Sequence, residues 1–296
     1  MLALDLIFQG LITGVFYALM AIGLTLIFGI LKVVNFAHGE FYMVGAYVYT
    51  IAASSLGISP WLCLPLALIA GAGLGLLTER TLMRPLYSGY ASWSIMKDEY
   101  AIIVTFGLSL LLINLVDKVV GPYPVRGPDL IDVQRMTIGP FMASGHRIAA
   151  LVVGVIIVAC VLAFLRYSFW GKQIQAVAQN KLGASLAGID TANVSALVFA
   201  ASGGLAALGG GLLAPLINAS PDVGLFIALK SYVIVVIGGM GSIAGAVLAS
   251  LFLGVFESFA AVYISYDYRD TFAFVLLILV LLLRPEGLFG EKGRSV

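Results

Sequence analysis

The sequence predicts an all-α fold, a polytopic transmembrane helix bundle of about eight to nine spans. Hydrophobic residues make up 61% of the 296 residues and charged residues only 10%, whereas about a quarter of a soluble globular domain is charged. The mean hydropathy is +1.07, and the apolar residues form runs of about 17 to 25, long enough to cross a hydrocarbon core of about 30 Å as helices. A membrane-spanning barrel would instead alternate over about ten residues. We therefore expect residues 1–296 to form one membrane domain.

The spans are delimited by charged residues and by Pro or Gly breaks. They lie at residues 4–30, 33–54, 60–77, 101–116, 148–165, 192–217, 229–239, 243–263 and 271–283. The first lacks a basic leader and a small-residue cleavage site, so we expect it to be retained. The seventh is too short to cross unaided and is followed by Gly238, Gly239, Gly241 and Ser242, which suit a sharp turn or a hinge. The sequence thus predicts a broken or short span near residues 229–242, enclosed by other protein because lipid does not tolerate exposed backbone.

The orientation follows from the placement of Lys and Arg. With nine spans and a cytoplasmic C-terminus, about ten of these residues lie on the cytoplasmic side and about six on the other. The N-terminus would then face outward, and it would move inside if the short span does not cross. In this topology the longer loop at 121–147 is external and the polar connection at 171–190 is cytoplasmic.

Small residues are spaced for close helix packing. Gly10 and Gly14, like Gly71 and Gly75, are four residues apart, the spacing that lets two helices approach closely. Glycines are dense at residues 203–211, and glycine disfavours a helix by about 1 kcal/mol relative to alanine. This density predicts either a kinked or sliding helix or plain tight packing.

Motifs for catalysis or for an energy source are missing from the sequence. It contains no P-loop, no histidine pair at metal-ligand spacing, no Gly-x-Ser-x-Gly string and no Cys/His cluster. Cys63 and Cys160 lie in apolar runs and are interpreted as small hydrophobic residues. The net charge of +1, without a basic run, argues against a nucleic-acid partner. We expect no enzymatic activity, metal or cofactor, so any energy for the function must come from another protein.

A polar cluster opens the second apolar stretch. Asn35, His38 and Glu40 place an amide, an imidazole and a carboxylate within six residues, although a charged side chain near the bilayer centre costs about 3 kcal/mol. On a helix beginning at Val33, Asn35, His38 and Tyr42 would share one polar face. We therefore predict a substrate pathway whose residues are Asn35, Phe36, His38, Gly39 and Tyr42. The alternative left open is that Asn35 and His38 bond each other or a neighbouring carbonyl and only hold helices together.

The connection at 171–190 has Ala and Leu spaced for a short helix, with Gln179, Asn180 and Lys181 available for polar contacts. This pattern is typical of a helix that docks in a groove of another protein. An ordinary amphipathic connection at the membrane surface is the alternative.

Several strings in order resemble one family. They are Gly-Leu-Thr-Leu-Ile-Phe-Gly at 23–29, Asn-Phe-Ala-His-Gly-Glu at 35–40, Gly-Ala-Tyr at 45–47, Glu-Arg at 79–80 with Arg-Pro-Leu at 84–86, Ala-Gln-Asn at 178–180 with Gly-Ile-Asp at 188–190, Gly-Gly-Met-Gly-Ser at 238–242 and Arg-Pro-Glu-Gly at 284–287. Over nearly its whole length the chain resembles the inner-membrane permeases of branched-chain amino-acid ABC importers, of the LivH type.

The resemblance implies partners and a location. The partners would be a second related permease, two cytoplasmic ABC ATPase subunits and a periplasmic solute-binding protein, and the chain would be a multi-pass protein of the bacterial inner membrane with periplasmic loop 121–147. Residues 171–190 resemble the segment that couples such permeases to the ATPase. The implied ATPase contacts are Gln175, Gln179, Asn180, Gly188, Ile189 and Asp190. Gln175 stands where many relatives have Arg, and Ala244 where many have Pro, which puts one ATPase contact and the turn after Ser242 in doubt.

Alternatives to a branched-chain amino-acid importer remain. Permeases of the same family also carry urea and short amides. An ion-coupled secondary transporter would use His38 and Glu40 to carry its ion and would need no partner. A membrane scaffold would move nothing and would have bulky apolar side chains sealing the space beside Asn35.

Overall fold

A computed structural model describes residues 2–85, 97–133, 136–138, 141–266 and 268–290. Within these ranges the α-helices are α1 Leu2–Leu31, α2 His38–Ser54, α3 Pro60–Thr78, α4 Lys97–Val119, α5 Gly145–Tyr167, α6 Phe169–Gln179, α7 Lys181–Leu186, α8 Thr191–Leu213, α9 Val223–Gly238, α10 Ile243–Tyr263 and α11 Arg269–Leu283. A π-helical turn, Glu79–Met83, continues α3. Strands β1, Met136–Ile138, and β2, Phe141–Ala143, pair antiparallel as a small hairpin.

The predicted polytopic helical bundle is confirmed. In the described ranges six helices are long and apolar enough to cross a membrane, namely α1, α3 with its π-helical turn, α4, α5, α8 and α10. The other three predicted spans coincide with α2, α9 and α11, which have 17, 16 and 15 residues, fewer than the roughly 20 of a full crossing. The predicted short span is α9, which begins at Val223 rather than at 229 and ends at Gly238.

The prediction that the second span is helical from Val33 is wrong, because α2 begins only at His38. The side chain of Asn35 accepts a hydrogen bond from the amide of Ala37 at 3.1 Å, and its carbonyl accepts one from the amide of His38 at 3.2 Å. Such a local turn competes with a helix. Asn35 and Phe36 therefore lie in a connection, and only His38 and Tyr42 of the predicted polar face are helical.

Helix α1 is at the centre of the bundle, and α4 and α5 are at its periphery. The membrane-crossing part of α1 is 89% buried, against 22% for α4 and for α5. Gly10 and Gly14 bring the backbone of α1 against that of α10, as their spacing predicts. Helix α8 is one helix from Thr191 to Leu213, and most of its glycines lie against α2 and α3. Its glycine density thus accompanies tight packing.

The segment before α5 is anchored across one end of the bundle. Val125 pairs with Ala219, and the hydroxyl of Tyr49 donates to the carbonyl of Pro128 at 2.8 Å. The buried ring of His146 accepts from the amide of Leu130 through Nδ1 at 3.1 Å; its Nε2 donates to a carbonyl at the end of α8. Much of the loop at 121–147 is therefore fixed; residues 134, 135, 139 and 140 lie outside the described ranges.

Candidate functional site

Two cavities lie towards opposite ends of α1. The first, which we call the Arg147 cavity, has about 510 Å³ and is lined by the N-terminal half of α1, the start of α5, the end of α8, α9 and the start of α11. The second, the Gln175 cavity, has about 830 Å³ and is lined by the last turns of α1, by α6, by the turn after α9 and by residues 285–290.

A packed layer separates the two cavities. On α1, Tyr17 lines the Arg147 cavity and Thr25 lines the Gln175 cavity, which places their Cα atoms about 12 Å apart at 1.5 Å per residue. The residues of α1 between them are buried. In this structure the cavities are therefore closed off from each other along α1.

His38 lies in this layer. Its Nε2 donates to the carbonyl of Met20 at 3.0 Å, and its Nδ1 is 3.4 Å from the hydroxyl of Ser202, which can only donate to it in that tautomer. The ring is fully buried and lies close to Gly23, where an added Cβ would be 3.1 Å from Cε1 of His38. His38 thus joins α2 to α1 and α8 at the level that separates the cavities.

The connection before α2 lies at the same depth. The end of α1 at Leu31 is about 16 Å from Met20 along the helix axis, so residues 33–37 run back into the bundle before α2 begins. Asn35 is buried, and its carbonyl accepts from the hydroxyl of Tyr232 on α9. Within the described part of the chain its amide nitrogen has no hydrogen-bond partner. The first span is therefore followed by a non-helical segment inside the bundle.

The other predicted pathway residues have different neighbours. Phe36 is 38% exposed, and its ring lies 6.4 Å from that of Phe106 on α4 and 6.0 Å from that of Tyr232. Gly39 packs against the backbone of Gly224 on α9, whereas Tyr42 is buried against α8. The structure therefore places His38 and Tyr42 towards α8, and Asn35, Phe36 and Gly39 towards α9. None of the five lines either cavity.

Glu40 is directed away from His38. Its carboxylate is buried, and one oxygen accepts from the hydroxyl of Ser109 on α4 at 2.9 Å. The other oxygen has no hydrogen-bond partner among the described residues. The structural interpretation of the polar cluster, a hydrogen bond to a neighbouring carbonyl, agrees with the contact of His38. Asn35 and Glu40 differ, because each has one side-chain polar atom without a hydrogen-bond partner among the described residues.

The segment at 171–190 forms α6, α7 and the cap of α8. Asn180 accepts from the amide of Gly183 at 2.8 Å and so begins α7, and Asp190 accepts from the first amides of α8 at 3.0 and 3.1 Å. Gly188 has a φ of 83° and Ile189 bonds back to α7. Gln175 donates to the carbonyl of Leu165 at 2.8 Å. Gln175 and Gln179 line the Gln175 cavity. The six predicted ATPase contacts thus lie on α6, at the cap of α7 and in the turn that leads into α8.

The four predicted turn residues form the reversal between α9 and α10. Gly239 and Gly241 have φ values of 96° and 91°, which glycine adopts without a Cβ penalty. Ser242 accepts from the amide of Gly245 at 3.1 Å and so caps α10. The end of the described chain folds onto this turn, because the amide of Leu288 donates to the carbonyl of Ile237 at 2.8 Å.

A buried charge cluster was missed by the sequence reasoning. Glu257 on α10, whose side chain is fully buried, lies 3.1 Å from Nζ of Lys230 on α9 and 3.2 Å from the guanidinium of Arg269 on α11. Tyr17 on α1 donates to Glu257 at 2.8 Å, and Asp270 lies 2.7 Å from Lys230. Lysine and glutamate within apolar spans are the signal that could have found it, because such residues are usually paired inside the bundle.

The sequence is similar to known permease components. The family model described as "Branched-chain amino acid transport system / permease component" matches residues 6–281. The chain is 36% identical to the high-affinity branched-chain amino acid transport system permease protein LivH of Salmonella typhimurium, over 97% of this chain and 96% of that protein. It is 33% identical to the corresponding protein BraD of Pseudomonas aeruginosa, over 96% and 94%. Its identity to LivM of Escherichia coli is 24%, over 92% of this chain and 67% of that protein. No solved structure matches the chain.

Proposed function

The chain belongs to the family of permease components of branched-chain amino acid transport systems, and from that premise we propose that it is the membrane-spanning subunit of an ATP-driven ABC importer for branched-chain amino acids. The similarity to LivH over 97% of the chain is the observation that carries this function. The multi-pass helical bundle suits a permease. Transport rather than catalysis is its role, with ATP hydrolysis on separate subunits.

The proposed assembly contains a second, related permease. Similarity to both LivH and LivM supports a pair of related permease chains. Two cytoplasmic ABC ATPases and a periplasmic solute-binding protein complete the importer, and the bacterial inner membrane with a cytoplasmic C-terminus is its location. In this topology the Gln175 cavity opens to the cytoplasm and the Arg147 cavity to the periplasm.

The proposed pathway runs from the Arg147 cavity through the layer at His38 to the Gln175 cavity. Tyr17 at the floor of the first cavity lies one turn of α1 from Met20, the partner of His38. Interrupted helices at mid-membrane form solute sites in many transporters, and residues 33–37 interrupt the helices at this depth. Asn35, Phe36, His38, Gly39 and Tyr42 are thus proposed to contact the solute when rigid-body movement separates α1, α2 and α8.

The experiment that tests this function is purification and reconstitution. The chain should copurify with an ATPase, and the reconstituted complex should take up leucine only with ATP and binding protein present. Uptake by the chain alone down an ion gradient would instead establish a secondary transporter. Uptake of urea or acetamide in place of leucine would assign the other substrate class. A complex that moves none of them would be a scaffold.

Replacing His38 by Ala is expected to lower ATP-dependent leucine uptake about fivefold, the rate equivalent of one hydrogen bond of about 1 kcal/mol, while the importer still assembles. The matched variant Ser202→Ala keeps the ring and removes only its neighbour at 3.4 Å, so its uptake should stay within about twofold. Initial uptake rates in proteoliposomes measure both. Unchanged uptake in His38→Ala would remove His38 from the pathway.

Replacing Leu186 by Asp is expected to abolish copurification of the ATPase. Leu186 is 81% exposed on α7, and a charge there opposes burial in a partner groove. The control is Leu56→Asp, which alters a leucine that is 69% exposed and follows the C-terminal end of α2. Both exposed changes should leave the free energy of unfolding within about 0.5 kcal/mol. Equal ATPase recovery from the two variants would contradict the docking role of α7.

A further inference from the structure

We infer that the Arg147 cavity is a binding site for one free aliphatic α-amino acid, with the carboxylate of the ligand at Arg147 and its ammonium group at Asp222. The inference rests on the proposed function and goes beyond it by placing a solute site on this subunit alone. It would be the first site that a solute meets after release from the binding protein.

The size and the walls of the cavity suit such a ligand. Its volume of about 510 Å³ lies within the usual range of about 300 to 1,000 Å³ for small-molecule sites. Ile12 and Phe16 of α1, Leu213 of α8 and Ile227 of α9 form an apolar wall and are themselves buried. A branched aliphatic side chain placed against them would leave water without losing a polar contact.

Arg147 and Asp222 supply one spare charge of each sign. The guanidinium of Arg147 donates to the amide oxygen of Gln9 at 2.7 Å, which leaves most of its five N–H groups available. Asp222 precedes α9, and its side chain makes no capping hydrogen bond. Among the described residues, no salt bridge includes either of them. Both residues line the same cavity.

The other charged residues of this cavity are already paired. Lys230 lies 3.1 Å from Glu257 and 2.7 Å from Asp270, and Arg269 lies 3.2 Å from Glu257. Two cations and two anions thus neutralise one another. Because a zwitterion needs an anionic and a cationic partner that are both available, Arg147 and Asp222 are the pair that fits its two ends.

The position of the cavity agrees with entry of a solute. Tyr17 and Lys230 lie at its floor. Met20, three residues after Tyr17, forms a hydrogen bond with His38, and Tyr232, two residues after Lys230, forms one with Asn35. A ligand held by Arg147 and Asp222 would therefore lie directly above the layer that must open for transport.

The test measures protection of a cysteine in the cavity of the complete importer in proteoliposomes. In a Cys160→Ala background, in which the remaining Cys63 is buried, Thr13→Cys introduces a thiol in the cavity wall. The labelling rate with a small maleimide is followed against the concentration of three probes. They are leucine, 3-methylbutylamine, which lacks the carboxylate, and 4-methylpentanoate, which lacks the ammonium group.

We expect leucine to slow labelling, and each charge variant to remove one specific contact. Arg147→Gln should raise the half-protecting concentration of leucine about tenfold and leave that of 3-methylbutylamine unchanged. Asp222→Asn should raise it similarly for leucine and leave 4-methylpentanoate unchanged. Both residues are exposed, so these variants should fold, and thermal unfolding checks that they do. A thiol introduced at Leu56, outside the cavity, should never be protected.

The inference is overturned if leucine does not slow the labelling of Thr13→Cys. It is also overturned if leucine protects this thiol equally well with and without the Arg147→Gln or Asp222→Asn change. Uptake by the same proteoliposomes keeps the two hypotheses apart. ATP-driven leucine uptake without protection rejects only the cavity site. Absence of any uptake by the unsubstituted complex rejects the proposed function.

Discussion

Replacing Glu257 by Ala is expected to lower the free energy of unfolding by about 3 to 5 kcal/mol, the cost of removing one partner from a buried ion pair. The side chain of Glu257 is fully buried and accepts contacts from Lys230, Arg269 and Tyr17, on three different helices. Among the described residues, Glu257 is the one carboxylate with which Arg269 forms a salt bridge. Without Glu257, α11 would lose the polar contacts that Arg269 makes with α10. Thermal or denaturant unfolding of the purified chain in detergent measures the effect.

Two further variants show whether charge or volume is responsible. Glu257→Gln keeps the volume of the side chain and should lower the free energy of unfolding by less than Glu257→Ala does. Asp270→Asn alters a side chain that is 66% exposed and should cost at most about 1 kcal/mol, as exposed ion pairs do. An effect of Asp270→Asn as large as that of Glu257→Ala would show that burial of Glu257 is not the cause.

Replacing Gly45 by Ala is expected to disrupt the contact between α2 and α8. An added Cβ would overlap the carbonyl group and the Cα of Ala207. Backbone atoms cannot move aside as a flexible side chain can, so the helices would have to separate, at a cost of about 3 kcal/mol or more for overpacking. We expect poor yield, early elution of aggregates on size exclusion and a lower unfolding temperature.

Gly73→Ala is the matched control. Gly73 lies within α3, and no atom lies within 4 Å of the position of its added Cβ. Alanine there should stabilise the helix by up to about 1 kcal/mol through its higher propensity. A Gly45→Ala protein as stable as Gly73→Ala would mean that α2 and α8 do not approach as closely as described.

The positions of the spans could be predicted from the sequence because apolar length alone determines which segments can cross a membrane. The start of α2 could not, because it depends on where one side chain bonds. Asn35 on a helix and Asn35 in a turn have the same apolar neighbours, and the bonds to Ala37 and Tyr232 decide between them.

The candidate site could be predicted only in part for a related reason. The polar residues at 35–40 are adjacent in sequence, so their unusual position is visible there. The residues of the Arg147 cavity come from five separate helices, and Tyr17 meets Glu257 across 240 positions of the chain. Lys230 and Glu257 are unusual within their apolar spans, but the sequence does not show which residues they contact. Only the packing of α1 against α9, α10 and α11 brings these residues together.

The net charge of the cluster around Glu257 determines how strongly the membrane potential acts on it. Lys230 and Arg269 are held beside Glu257 and Asp270, so the group as a whole has no net charge. Moving one elementary charge across 100 mV involves about 2.3 kcal/mol, whereas displacing a neutral group through the same field involves almost no electrical work. Movement of these four residues together should therefore contribute almost no dependence on the membrane potential to the rate of transport.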